Sequence, residues 1–326
     1  MAKGVLLLQM GGPSNLEEVE PFLFNLFRDK YIIQLPWFMA AFQETFARII
    51  SRRRSPKVSK LYEEIGGASP IKFETESQAK ALEKHLSDGT KVYYAMRYTS
   101  PFLAETFKDI EKDEIKDLTV IPLYPQYSTA TSGSSLIECK EHFESTGFSK
   151  KAKIKYVENW FDNDNFIQLI NNRILDQLKE FEKDGIKDPK QIHILFSAHG
   201  LPESYIKKGD PYEEQVKETV RRVMGRLPLY PHSICYQSRV GPVKWLQPST
   251  EKAIKDLAGK YFKKNILVVP ISFVGDHIET LQEIGIEYKK FAESLGVRNF
   301  KITRLPKANK LFIKALGDYC KDSSNN

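Results

Sequence analysis

Residues 194–202 read ILFSAHGLP. The apolar run that begins at Ile192 is too short for an ordinary helix and too continuously apolar for a half-exposed strand, so it predicts a strand buried on both faces. Within three residues it gives way to small side chains, a histidine and a Gly-Leu-Pro turn. A similar passage, LLLQMGGP, occupies residues 6–13. Downstream of each copy another short apolar run ends in proline and a loop: VIPLYPQYS from Val120 and VVPISFVGDHIET from Val268. The pattern comes twice.

Working outward, short runs rich in Val, Ile and Leu recur at residues 4–8, 92–96, 118–123, 192–196 and 266–271, with amphipathic stretches at 75–86, 165–182 and 211–225. Buried strands alternating with helices of this length predict parallel βαβ units with helices on both faces. The fold class is therefore α/β: two similar Rossmann-like lobes, each a parallel sheet flanked by helices. The amino-terminal lobe is expected over residues 1–150 and the carboxyl-terminal lobe over 151–326. In such sheets ligands sit beyond the carboxyl ends of the strands, where all four loops fall, and a cleft between the lobes is the expected site.

At 326 residues and 41% hydrophobic content, the chain is long enough for one large or two ordinary domains. It contains no apolar run of membrane-spanning length, and MAKGVLLLQMGGP is too briefly apolar for a signal peptide, which predicts a cytosolic chain. Cys139, Cys235 and Cys320 are odd in number and lack CxxC spacing, so they read as reduced thiols. The net charge of +7 is modest, and part of it sits at Arg52-Arg53-Arg54 with Lys57 and Lys60. With no zinc-finger spacing and no RNP-like strand, nothing supports a nucleic-acid partner. Just upstream, residues 35–42 read LPWFMAAF. The pair fits a surface that dips into lipid beside anionic headgroups, or equally an amphipathic core helix with a solvated basic end.

Two groups of residues carry chemistry. His199 follows a buried strand at its ligand-facing end and precedes a turn that holds the backbone, so its ring is available to a ligand. His85, His142, His193 and His232 read as structural. In SFVGDHIETLQEIGIEY, residues 272–288, Glu279, Glu283 and Glu287 recur every four positions, with Asp276 one short of continuing the series. On a helix they stack along one face. A solvated acidic face is the plain reading. At the mouth of a cleft, however, mutually repelling carboxylates attract cations and accept protons, which suits transient handling of a divalent metal. Neutral imidazole accepts a proton near neutral pH, and a glutamate partner can pass it on.

Taken together, LLLQMGGP, YEEIGGASPI, MRYTSPF, IPLYPQYS, FSAHGLP, CYQSRVGPVKWLQPST and VVPISFVGDHIETLQEIGIEY resemble ferrochelatase, which inserts ferrous iron into a porphyrin in haem synthesis. The resemblance runs from about residue 4 to about residue 306. It implies that His199 takes the pyrrole protons or, on another account, delivers the metal, with Glu279 as its carboxylate partner across the porphyrin. It puts Asp276, His277, Glu283 and Glu287 on the acidic row that handles metal. Met10, Arg97, Tyr127, Trp245 and Phe273 then face the macrocycle, and planar aromatic and thioether groups suit a flat apolar ring. Ser132, Gly133 and Ser134 fall at the cleft edge. The cleft becomes a porphyrin cleft, Fe(II) is a substrate, and no organic cofactor is needed.

The resemblance also identifies residues 35–60 with the apolar lip of protoporphyrin ferrochelatases, which meets the membrane. Coproporphyrin enzymes lack the lip and carry a tyrosine where this chain has Met10, so protoporphyrin IX is the expected ring, coproporphyrin III the alternative. Localisation is expected in the cytoplasm, peripherally on the inner face of the cytoplasmic membrane. Some relatives hold a [2Fe–2S] cluster through cysteines of a carboxyl-terminal extension. Here only Cys320 lies in the tail, so no cluster and a monomer are expected. Gly275 stands where serine is common, and Thr99-Ser100 replaces a bulkier pair. A chelatase for cobalt or nickel and a non-catalytic porphyrin carrier remain as competing classes.

Overall fold

The buried runs become strands in a computed structural model that describes residues 2–35, 37–239 and 241–321. Pro36 of the apolar segment, Val240 of the CYQSRVG stretch and tail residues 322–326 lie outside the described residues.

In the first half, β1 (Lys3–Gln9), β2 (Lys91–Met96), β3 (Asp117–Pro122) and β4 (Lys153–Tyr156) form a parallel sheet in the order β2-β1-β3-β4. In the second, β5 (Ile192–His199), β6 (His232–Gln237), β7 (Asn265–Pro270) and β8 (Asn299–Ile302) repeat it as β6-β5-β7-β8. Two four-stranded parallel sheets flanked by helices are thus the architecture. The strands read from continuous apolar runs include both inner pairs, and β7 is buried along its whole length. Crossover helices bury one stripe each. Asp164–Lys183 presents Phe166, Ile170, Ile174, Leu178 and Phe181 to the core, and the Asn163 side chain caps it by accepting from the N–H groups of Asn165 and Phe166.

The chain forms two compact units, which do not divide at residue 150. One comprises the chain to Asn159 together with Gly275–Ile278 and the chain from Lys307; the other comprises Trp160–Val274 and Glu279–Pro306. The first unit keeps the final helix, Lys310–Cys320, because that helix buries Phe312, Ile313 and Leu316, and its Gly317 lies under His85 of the helix Ile71–Leu86. The core of this unit gathers Leu6, Leu8, Phe107, Leu118, Val120 and Phe143. The second core gathers Leu195, Ile254, Ile266, Val268, Ile284 and Tyr288. Cys139 and Cys235 are free and buried; burial pushes the Cys235 thiol up to about 12, as suits an inert core sulfur.

The apolar segment is not a core helix. A 3₁₀ turn, Trp37–Phe42, buries none of its residues, and Trp37 is 89% and Phe38 64% exposed. The helix that follows, Gln43–Glu63, buries only Ala47, Ser51 and Tyr62 and carries the exposed Arg52 and Arg53. Among the described residues no helix is long and apolar enough to cross a membrane.

Candidate active site

In the second unit, β5 ends at His199, half-buried beyond the strand's carboxyl end. Its Nδ1 lies 2.7 Å from the Gly200 carbonyl. A carbonyl only accepts, so Nδ1 carries the proton and Nε2 of the neutral ring keeps its lone pair, with no bonded partner among the described residues. Phe273 stands edge-on to the imidazole, with centroids 6.3 Å apart. The Tyr212 hydroxyl donates to the His199 carbonyl at 3.0 Å and pairs with Ser272 Oγ at 2.9 Å. The turn after His199 is pinned by a short antiparallel bridge between Pro202 and Trp245, with Leu246 N–H donating to the Leu201 carbonyl. Gly200 is needed for close approach: a Cβ there would stand 2.5 Å from the Gln237 carbonyl and 3.2 Å from the Trp245 ring.

The acidic row lies on a helix, but not an α-helix. Glu279–Tyr288 is a π-helix, continued by the α-helical Lys289–Ser294. Its i→i+5 bonding widens the turn, so a residue four positions on falls short of a full turn instead of passing it, and Glu279, Glu283 and Glu287 still lie near one face. They are not equivalent. Glu279 is half-buried in the first turn and Glu287 is exposed. Glu283 accepts four hydrogen bonds, from Ser238 N–H (2.9 Å), Ser238 Oγ (2.5 Å), Gln237 Nε2 (3.2 Å) and Tyr288 OH (2.6 Å). Burial first, and then the Glu283 charge, raise the Tyr288 phenol well above its usual value.

Asp276 and His277 belong with the first unit. Glu74, buried, accepts the Asp276 N–H at 2.7 Å, and Lys307 bridges Glu74 (2.8 Å) and Asp276 (2.5 Å). Burial raises the Glu74 carboxyl above its ordinary value despite the pull of Lys307. His277 is buried with Nδ1 3.0 Å from the Gly275 carbonyl. Among the described residues no three His, Cys, Asp or Glu side chains converge in a ligand cage.

The first unit carries Met10, Arg97 and Tyr127 at the carboxyl ends of β1, β2 and β3. Arg97 is tied at each nitrogen: Nε to Ser134 Oγ at 3.1 Å, one terminal nitrogen to Glu138 at 2.8 Å and the other to Asp29 at 3.0 Å. Burial alone would lower its pKa, but Glu138 and Asp29 together hold it above its ordinary value. Asp29, 6% exposed, also accepts from Tyr98 OH and Ser134 Oγ. The phenol of Tyr127 lies over Gly133, where a Cβ would be 2.8 Å from its oxygen. Thr99, one of the departures noted above, has a role here: its Oγ1 accepts the Gly12 N–H at 3.3 Å after the β1 turn. Sequence reasoning missed Asp29, Glu74, Tyr212, Gln237, Glu138 and Lys307. None of them had a signal of its own, although Gln237 falls inside the quoted CYQSRVGPVKWLQPST passage.

The repeated parallel sheet, with a histidine at the carboxyl end of one central strand, defines a protein of two Rossmann-like α/β units. SirB from Bacillus subtilis, solved with Fe3+, shares this fold at a TM-score of 0.57 and 11% identity over 99% of this chain and 97% of SirB. CbiX, described as the terminal enzyme for biosynthesis of siroheme in denitrifying bacteria, does so at 0.52 and 10% over 97% of each chain. The chain belongs to the ferrochelatase family, whose model matches residues 2–324. It is 44% identical to the ferrochelatase of Geotalea daltonii over 97% of this chain and 96% of that one. Against the Geobacter metallireducens ferrochelatase it is 45% identical, with 96% of each covered. The Nostoc enzyme is 41% identical over 99% of this chain and 82% of its own. The chain is accordingly a metal chelatase that inserts metal into a porphyrin, with porphyrin and iron as substrates.

Proposed function

We propose that this chain inserts Fe(II) into protoporphyrin IX, releasing two protons and forming protohaem, as the last step of haem biosynthesis. The observation that carries the proposal is His199, whose Nδ1 donates to the Gly200 carbonyl, leaving the lone pair of the neutral ring on Nε2. A free-base porphyrin is blocked by two pyrrole N–H groups. Nε2 takes one of these protons, and the imidazolium that forms keeps its Nδ1–H···O bond, so the ring does not turn as it charges. Glu279, in the first turn of the π-helix, takes the other. As the protons leave, Fe(II) enters the dianionic ring and the product is neutral. Binding along the macrocycle, through Met10, Arg97, Tyr127, Trp245 and Phe273, favours a bent ring and offsets the cost of bending.

The choice of protoporphyrin rests on the exposed Trp37 and Phe38 and on Met10, apolar groups suited to a ring with few carboxylates. The same rim, with Arg52 and Arg53 beside it, would dock on the inner face of the cytoplasmic membrane. The proposed enzyme is a monomer and uses no organic cofactor and no [2Fe–2S] cluster. Anaerobic Fe(II) insertion into protoporphyrin IX and coproporphyrin III, by wild type and His199→Ala, tests the reading. Protoporphyrin turnover lost in the variant is expected. Preference for coproporphyrin would reverse the reading of the rim, and binding without insertion would make the chain a carrier.

A further inference from the structure

One member of the acidic row is surrounded in a way that does not suit a metal ligand. A carboxylate has about four lone-pair positions, and those of Glu283 are taken by Ser238 N–H, Ser238 Oγ, Gln237 Nε2 and Tyr288 OH. Two of these donors sit on Ser238, a non-glycine residue held in the left-handed region at φ 64°. Such a conformation persists when its surroundings over-determine it, and Glu283 does so from both the backbone and the side chain.

The neighbour, Gln237, is fully buried and connects in two directions. Toward β5, its Oε1 accepts from Ser197 Oγ at 2.7 Å and its carbonyl accepts the Gly200 N–H at 2.8 Å. These two residues flank Ala198 and His199. Toward the π-helix, Nε2 donates to the Glu279 carbonyl at 3.3 Å and to Glu283 at 3.2 Å. The strand end that carries His199 and the helix turn that carries Glu279 are therefore joined through one buried residue, Gln237, and its side-chain amide is held in place by Glu283.

We infer that Gln237 and Glu283 act together as a positioning pair that sets His199 against the first turn of the π-helix, with Glu283 anchoring the pair and not ligating iron. The inference rests on the metal-insertion reaction proposed above and on His199 and Glu279 as its proton acceptors.

A double-mutant cycle on Fe(II) insertion tests it, with turnover counted per porphyrin site titrated by protoporphyrin fluorescence. Gln237→Ala and Glu283→Ala are each expected to lower kcat by about ten- to a hundredfold, the effect of ångström-scale misplacement. The KM for Fe(II) is expected to stay within about twofold of wild type, since no ligand is lost. The double variant should lose no more than the worse single one, because either change alone cuts the same connection. Glu283→Gln keeps an acceptor for Ser238 N–H and Tyr288 OH but turns an amide N–H toward Gln237 Nε2, so it should recover part of the turnover lost in Glu283→Ala and remain below wild type. Tyr288→Phe removes a single donor, cannot disturb a ligand set, and should give a smaller fall in kcat; it keeps the test open where an alanine variant does not fold.

A rise in the Fe(II) KM of about tenfold or more in Glu283→Gln and Glu283→Ala alike, multiplying with Gln237→Ala, would overturn the inference and make Glu283 a ligand. Fewer porphyrin sites with unchanged turnover per site would overturn it too, leaving a folding role. If wild type inserts no metal, the reaction itself has been misread and the pairing falls with it, an outcome distinguishable because wild type and every variant then behave alike.

Discussion

Placing a methyl group on Gly275 isolates the contact that holds the segment carrying Asp276 and His277. A Cβ at this position would stand 2.6 Å from Glu74 Oε2. That oxygen is not free to swing away, because it accepts the Asp276 N–H at 2.7 Å while the other carboxylate oxygen meets Lys307 at 2.8 Å. Gly275 lies outside the left-handed region, so the whole cost of the substitution is contact and none is backbone conformation. Relief requires giving up the bond from Asp276 N–H to the carboxylate, about 1.5–3 kcal/mol for a charged acceptor. Lower chain entropy in the unfolded state returns about 0.4–1 kcal/mol. Gly275→Ala should therefore destabilise the protein by about 1–2 kcal/mol, which lowers Tm by about 2–8 °C for a unit of this size. In a Glu74→Ala background the contact no longer exists, and the same substitution should be neutral or slightly stabilising. Urea unfolding of wild type, both single variants and the double variant gives the coupling energy directly. Equal losses in the two backgrounds would refute the reasoning, since the cost would then lie in something other than Glu74.

His193 makes stability depend on pH. Burial, aided by the charges of Lys263 and His232, pushes its pKa down to about 4. The unfolded chain then binds more protons than the folded one between about pH 6.5 and 4, so its contribution is complete above that window and is lost as pH falls through it, about 3 kcal/mol in full; His193→Gln should flatten a urea-midpoint profile across this range. Replacing Trp37 and Phe38 by serine removes two exposed apolar side chains worth about 1.5–3 kcal/mol each on burial. Sedimentation with anionic vesicles should show a loss of about a hundredfold or more in partitioning with the far-UV spectrum unchanged, and undiminished binding would take the rim out of membrane docking.

Four of the five strands legible in the sequence have a uniformly buried environment; the fifth, residues 92–96 of β2, is an edge strand whose tyrosines and valine still read as an apolar run. Residues 4–8, 118–123, 192–196 and 266–271 are buried on both faces in the middle of their sheets and read as unbroken apolar runs. KIKY of β4, HSICYQ of β6 and NFKI of β8 are edge strands, short and interrupted by lysine, serine or histidine, and no run announces them. The acidic row was legible as a spacing, because side chains four apart align in either helix type. The π-helical backbone was not, since nothing in ETLQEIGIEY distinguishes i→i+5 from i→i+4 bonding. His199 was visible from its place after a buried strand. Gln237 and Glu74 were not, because their importance comes from partners 35 or more positions away along the chain.

The repeated strand order has a consequence for how the two sheets divide their chemistry. Because β1 and β5 hold the same place in sheets of the same order, and LLLQMGGP and ILFSAHGLP end in the same Gly-x-Pro, Met10 and His199 occupy equivalent positions. At that position one sheet offers an imidazole that can exchange a proton; the other offers a thioether that cannot titrate at all. One backbone device thus presents two unlike side chains, and the difference between the sheets at this point lies in a single residue.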